Sequence, residues 1–271
     1  MLNNKKGFTL IVSLVLIIFV ATAVAGITLF VTQRLFLTQT EQIRTRCVYL
    51  AQAGVNSALY WYRQHDFTGG VGFFSLGQTN IDASNFFVIG GNAADLLMIN
   101  TSNSRLNNRN LDRWELQNAT DSRDITIDRM IVSWSGGRPG TRLNRIRIDG
   151  KNVWNGNSFS PANCNLNPDF ILDVTPGVPP TIYSGNRNQF RFSQRIDNRR
   201  NPLTSLSAEF IMSDGSSKTI QIYPSSNRYC FTVKSTGKTS GSGIYRTIRA
   251  EYNALTGNVD SLYEIDTEIT P

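Results

Sequence analysis

Few side chains in this 271-residue chain are of the kinds that do chemistry, and those few are not spaced for it. The single histidine, His65, stands beside Asp66 at the end of a long run without proline. In that place it reads as a solvated helix-end group that complements the dipole, not as a ligand. No Cys-x-x-Cys, His-Glu-x-x-His or Gly-x-Ser-x-Gly spacing occurs. Gly69-Gly70-Val71-Gly72 lacks the Lys-Ser/Thr partner of a phosphate cradle and reads as a loop, and Ser213-Asp214-Gly215-Ser216 is too short for a calcium loop. No catalytic residue, metal site or cofactor follows from these patterns, so a non-enzymatic protein is expected. Charge is what remains. Arg187, Arg191, Arg195, Arg199 and Arg200 make a basic stretch that could contact DNA, polysaccharide or an acidic partner, or simply be a solvated loop between strands.

The element that organises the chain lies at its start. Lys5-Lys6-Gly7 runs directly into Phe8-Thr9-Leu10, and no charged residue follows until Arg34. A helix needs about 20 mostly apolar residues to cross a bilayer core, so this stretch is long enough. The two lysines before it place the short leader on the cytoplasmic side and send the rest outward. An ordinary secretory signal carries its small-residue cleavage site after the apolar region; here Gly7 precedes it. An uncleaved anchor, or a cut near Ala21-Thr22-Ala23 or Ala23-Val24-Ala25, are the alternatives, but the chain stays apolar through Ile27, Leu29, Phe30 and Val31.

Beyond the apolar stretch the helix continues. From Thr32 to His65 there is no proline, and Ile43, Cys47, Leu50, Gly54 and Ala58 recur at helical steps, a stripe suited to lying on a globular domain. A helix over residues 8–65 would be about 85 Å long at 1.5 Å per residue. That length suits packing with copies of itself better than it suits a small monomer.

The Gly7-Phe8 junction resembles the class III signal peptide of type IV pilins and pseudopilins. Tyr49-Leu50-Ala51-Gln52-Ala53-Gly54-Val55 resembles the small-residue segment of PilX-type minor pilins and of the large tip pseudopilin of type II secretion. The resemblance covers about the first sixty residues. It implies cleavage between Gly7 and Phe8 by a prepilin peptidase, N-methylation of Phe8, and assembly with other pilins or pseudopilins through the N-terminal helix. It also implies an inner-membrane location with the head in the periplasm before assembly, then a pilus or periplasmic pseudopilus. Major pilins carry Glu at the fifth mature position, where it neutralises a neighbour's N-terminal amine; here that position is Val12. Burying an unpaired ammonium is costly, so a subunit without that carboxylate is expected at the tip or in priming rather than in the shaft. The competing class is a membrane-anchored adhesin, or a DNA- or polysaccharide-binding protein, that never enters a filament.

The exported part reads as β-rich, giving an α+β chain. Strands are expected at Asn85 to Ile89, Ile125 to Trp134, Asn144 to Ile148, Lys151 to Trp154, Asn188 to Arg195, Leu206 to Met212 and Lys218 to Tyr223, with hairpin turns at Asp149-Gly150 and Ser213 to Ser217. Ala93 to Ile99 fits a short helix or a strand, and Leu106 to Leu116 is ambiguous. Tyr229 to Gly237 and Tyr245 to Tyr252 resemble the C-terminal hairpin of PilX-type proteins. The expected organisation is a leader (1–7), a pilin helix (8–65, membrane-spanning over 8–32), a first part of a pilin-like head (66–123), an immunoglobulin-like β-sandwich module (124–223) and a C-terminal pilin-like hairpin (224–271). The net charge of +7 is mildly basic and no nucleic-acid signature. Three cysteines in an exported chain suggest one disulfide and one leftover. With Cys47 in a helical stretch, Cys164 and Cys230 are the expected pair.

Overall fold

In the computed structural model the described residues are 3–67, 71–183, 187–197, 200–226 and 228–269, with side chains of the first helix described over 12–65. That helix, α1 (Asn3–Phe67), begins before the expected start and ends two residues after the expected end. The chain divides into two compact units, 1–46 and 47–271.

The first unit is helix alone. From Val12 to Leu37 its large apolar side chains are exposed, Phe19 to 72% and Phe36 to 68%. The threonine hydroxyls along it are satisfied locally. Thr22 donates to the Ile18 carbonyl at 3.0 Å, Thr28 to Val24 at 2.8 Å and Thr32 to Thr28 at 2.8 Å. A polar group that bonds its own helix in this way can enter hydrocarbon without an unmet hydrogen bond.

The second unit opens with the remaining turns of α1. Cys47, Leu50, Ala51, Val55, Ala58, Leu59 and Tyr62 are buried while Tyr49, Tyr60 and Trp61 are exposed, the one-sided pattern of a helix lying on a sheet. The sheet beneath has the order β1 (Gly77–Asn80), β2 (Asn85–Gly90), β14 (Cys230–Thr239), β15 (Tyr245–Asn253), β16 (Asn258–Ile265), all neighbours antiparallel. It joins segments some 140 residues apart in sequence, with Ile89 opposite Ser235 and Val88 opposite Thr236. Tyr62 packs on Phe231 with ring centroids 4.6 Å apart, and Arg63 donates to the Tyr252 hydroxyl at 3.2 Å.

Two glycines set how closely helix and sheet approach. A Cβ on Gly237 would lie 2.1 Å from the Cys47 carbonyl oxygen and 2.6 Å from the Ala51 nitrogen; one on Gly54 would lie 2.0 Å from Ser235 Oγ and 2.8 Å from Phe87. No side chain fits at either contact.

Between β2 and β14 the chain builds the rest of the head. Both readings of 93–99 hold in succession: α2 (Ala93–Leu96), capped by Asn92, leads straight into β3 (Leu97–Asn100), which pairs with β6 (Glu115–Asn118). Next come two larger sheets. One has the order β10 (Ala162–Leu172), β7 (Ile125–Gly136), β12 (Leu203–Met212), β13 (Ser217–Tyr223). The other has the order β4 (Arg105–Asn107), β5 (Asn110–Asp112), β11 (Gln189–Phe192), β8 (Leu143–Ile148), β9 (Lys151–Ser158). They meet where Trp114 stacks on Phe190 at 5.0 Å and meets Phe210 edge-on at 6.0 Å, and where Trp134 meets Phe192 at 5.3 Å. The β8–β9 turn is the expected one, with Asp149 at φ 51° and Gly150 at φ 77°.

Three expectations are corrected. The boundary at residue 124 cuts a sheet, because β4 and β5 lie before it and β5 pairs with β11 after it, while the buried Trp114 packs on Phe190 of β11. The segment 124–223 is therefore incomplete by itself, and the head from 47 onward is one compact unit. Strand β10 was not expected, since Asn163, Asn165, Asn167 and Pro168 hide an alternation of Ala162, Cys164 and Leu166 pointing inward. The C-terminal hairpin gains a third strand, β16, whose Val259, Leu262 and Tyr263 are exposed and do not alternate with its polar residues.

Candidate functional site

The sequence-derived residues fall at separate places in the fold. Gly7 and Phe8 lie in the first turns of α1, where their side chains are outside the described residues. Val12 is on the same helix, 48% exposed. Among the described residues α1 is the one helix long and apolar enough to cross a membrane.

The expected disulfide is not formed. Cys47, Cys164 and Cys230 are all free and buried, Cys164 on β10 and Cys230 on β14, strands of different sheets. Burial pushes the Cys164 thiol up to about 12, and raises Cys230 as well, with the Glu251 carboxylate adding to the effect. Neither is poised for thiolate chemistry. Cys230 does share ligand-type atoms with Glu251 and Asp260, all within 4.8 Å of one another. Glu251 is already held by Arg228 at 2.6 Å, so the group reads as an ion-pair cluster. His65 is not the solvated end group expected from its position: its ring stacks on Phe73 at 4.0 Å, beside a cavity of about 460 Å³ that Trp61, Ser75 and Asp121 also line.

The five arginines of the basic stretch do not make one patch. Arg187 pairs with Asp149 at 3.3 Å. Arg195 donates to the Asp197 carbonyl at 2.8 Å, tying down its own loop. Arg200 is exposed, and Arg199 lies outside the described residues. Arg191 is placed differently, on β11 directly opposite Arg145 of β8. Arg145 and Arg147 were missed because they were read only as the polar half of an alternating strand. The signal was that both outward positions of Asn144 to Ile148 are arginine, in a strand whose neighbour also presents one.

Ion pairs and buried polar contacts knit the strands of 105–223 to the helix-bearing sheet. Asp214, in the β12–β13 turn, accepts from the Ala93 amide at 2.9 Å and pairs with Arg123 at 3.3 Å, while Ser216 accepts from the Ala94 amide at 3.0 Å. Burial pushes the Asp214 carboxyl upward, but hydrogen bonds from Ser216 and Ala93 outweigh it and hold the group below the usual carboxylate range. Lys234 of β14 meets the buried Asp95 of α2 at 2.6 Å. Lys218 of β13 donates to the carbonyls of Leu97 and Cys230, the latter at 2.9 Å, so one ammonium joins three sheets. Beside these contacts Gly91, Arg123, Asp214, Lys234 and Ile269 line a cavity of about 640 Å³.

Taken together the head offers ion-paired seams, buried inert thiols and one cationic sheet face, while α1 offers a bare apolar surface. Compared with protein-family models, with curated proteins and with solved structures, the chain matches none of them.

Proposed function

We propose that this chain is a minor pilin or pseudopilin subunit, cut after Gly7 by a prepilin peptidase, methylated on Phe8, and drawn from the inner membrane into a type IV pilus-like filament at its tip or in priming. One observation carries the reading: residues 12–37 of α1 leave every large apolar side chain exposed, whereas the same helix buries its stripe from Cys47 to Tyr62 against the head. An apolar surface that large is tolerated only against lipid or other helices. A filament subunit needs both covers, lipid before assembly and neighbouring helices after it. Val12 in place of the fifth-position Glu favours a place with no subunit above. The sheet closed by β2 and β14 around an intervening region suits a pilin-like head with a large insertion. The two facing sheets of that insertion form a β-sandwich of immunoglobulin-like size, a scaffold for display or adhesion rather than catalysis.

Mass spectrometry of the mature chain, produced in a host with a prepilin peptidase, tests this. The expected N-terminus is methylated Phe8, and Gly7→Arg should leave Met1 in place. An intact Met1 on the unaltered chain, or a cut near Ala25, would remove the filament reading and leave an anchored protein.

A further inference from the structure

The outer face of the sheet β4-β5-β11-β8-β9 carries two polar rows that cross all five strands. One runs Asn107, Asn110, Arg191, Arg145, Asn155; the other runs Arg105, Asp112, Gln189, Arg147, Asn152. The row between them, Leu106, Leu111, Phe190, Ile146 and Trp154, points to the core side. Neighbouring strands lie about 4.8 Å apart, so Arg145 and Arg191 stand side by side as like charges. Such opposition destabilises a sheet.

No carboxylate relieves it. Among the described residues Arg105, Arg145 and Arg191 are in no ion pair; Asp149 pairs with Arg187 at 3.3 Å, and the buried Asp112, opposite Arg105, has its Oδ1 4.0 Å from Arg113 Nε and without a hydrogen-bond partner. Arg147 is turned along its own strand, where its guanidinium donates to the Gly150 carbonyl at 2.8 Å. Arg145 Nε and Asn110 Oδ1 are buried and lack a hydrogen-bond partner. Burial, followed by the charges of Arg191 and Arg147, lowers the Arg145 pKa, the mark of a cation held without a counter-ion.

We infer that this face binds a carboxylate-bearing polysaccharide laid across the strands. A guanidinium fork matches a carboxylate with two parallel hydrogen bonds, and a carboxamide, donor and acceptor at once, matches sugar hydroxyls. Apart from Asp112, every residue of the two rows carries one of these two groups, with Arg145 and Arg191 side by side and amides flanking them. None of their ten residues is aromatic, so a single-stranded nucleic acid would find no stacking platform, and a flat sheet face enters no duplex groove. The inference does not depend on whether the chain enters a filament, and it replaces the broader basic stretch by Arg105, Arg145 and Arg191 with their flanking amides.

Calorimetry on the full chain in non-ionic detergent tests it, with polygalacturonate as probe and dextran and duplex DNA as comparisons. Polygalacturonate should bind, more weakly as salt rises, while dextran gives no heat. Arg145→Gln with Arg191→Gln should weaken binding at least ten-fold and leave the melting temperature equal or higher, because the like-charge pair is gone. Should that variant fold poorly, Arg191→Lys carries the test: it keeps the charge, loses the fork, and should still weaken binding several-fold. Absence of polygalacturonate binding, unchanged affinity in the variants, or equally tight and equally sensitive binding of duplex DNA would each overturn the assignment.

Discussion

Gly237→Ala should cost the head about 3 kcal/mol or more and lower its melting temperature by roughly 6–12 °C, at about 2–4 °C per kcal/mol for a unit of this size. The added methyl would meet the Cys47 carbonyl oxygen at 2.1 Å, the Ala51 nitrogen at 2.6 Å and the Leu50 Cβ at 2.7 Å. Two of these atoms are backbone of a helix whose buried stripe is fixed by Val55, Ala58 and Tyr62, so they cannot rotate away. The helix must lift or the strand must bend, and either opens the contact that seats α1 on β14. Gly26→Ala is the matched control. Nothing lies within 4 Å of that position, and the head should melt unchanged. Thermal unfolding followed by circular dichroism in detergent measures both; a Gly237→Ala head that melts within 2 °C of the unaltered chain would rule out close helix–sheet seating.

The second large effect is on pH dependence and comes from Lys218. Its stem is partly exposed, but its ammonium is enclosed between the Leu97 and Cys230 carbonyls, and burial lowers its pKa from 10.5 to about 8. Between those two values the unfolded chain still holds a proton that the folded chain has lost. Stability therefore rises with pH across that window, by at most about 3 kcal/mol. The thiols act in the opposite sense. Cys164, raised by burial from 9.0 to about 12, keeps its proton in the fold while the unfolded thiol ionises, so its contribution falls as pH rises above 9. The unaltered chain should gain stability from pH 8 to 9 and then level off. Lys218→Met removes the rising component alone, so denaturant midpoints of the two chains should diverge as pH goes from 8 to 10.5. Parallel curves would mean that Lys218 stays charged in the fold.

Much of this architecture was legible residue by residue. The uncharged run before Arg34 specified an apolar helix because hydrophobicity there depends on no distant partner, and Asp149-Gly150 specified a hairpin because positive φ is a local property. Strands with strict alternation, such as Arg145 to Ile148, could be found in the same way. Strand β10 could not: three of its outward residues are asparagines, Asn167-Pro168-Asp169 breaks the alternation between Leu166 and Phe170, and the neighbouring β7 makes it a strand, with Cys164 opposite Met130. The boundary at residue 124 failed for a similar reason. Strands β4 and β5 are three residues each, too short to announce themselves; β5 is held by pairing with β11 some eighty residues later, and β4 pairs with β5.

The candidate sites divide along the same line. By itself the sequence determined the apolar N-terminal helix, the Gly7-Phe8 junction with apolar Val12 as the fifth residue counted from Phe8, and the presence of outward-facing arginines, all of which depend on residue type and short-range spacing. Only the tertiary structure decided which arginines stand together, that Cys164 and Cys230 belong to different sheets, and that Lys218 is enclosed. Those outcomes rest on strand order and register, which are set by the burial of Trp114, Phe190 and Phe210 across two sheets. A one-residue slip of β8 against β11 would turn Arg145 toward the core and Ile146 toward water, so it is the apolar row on the inside that places the cationic row on the outside.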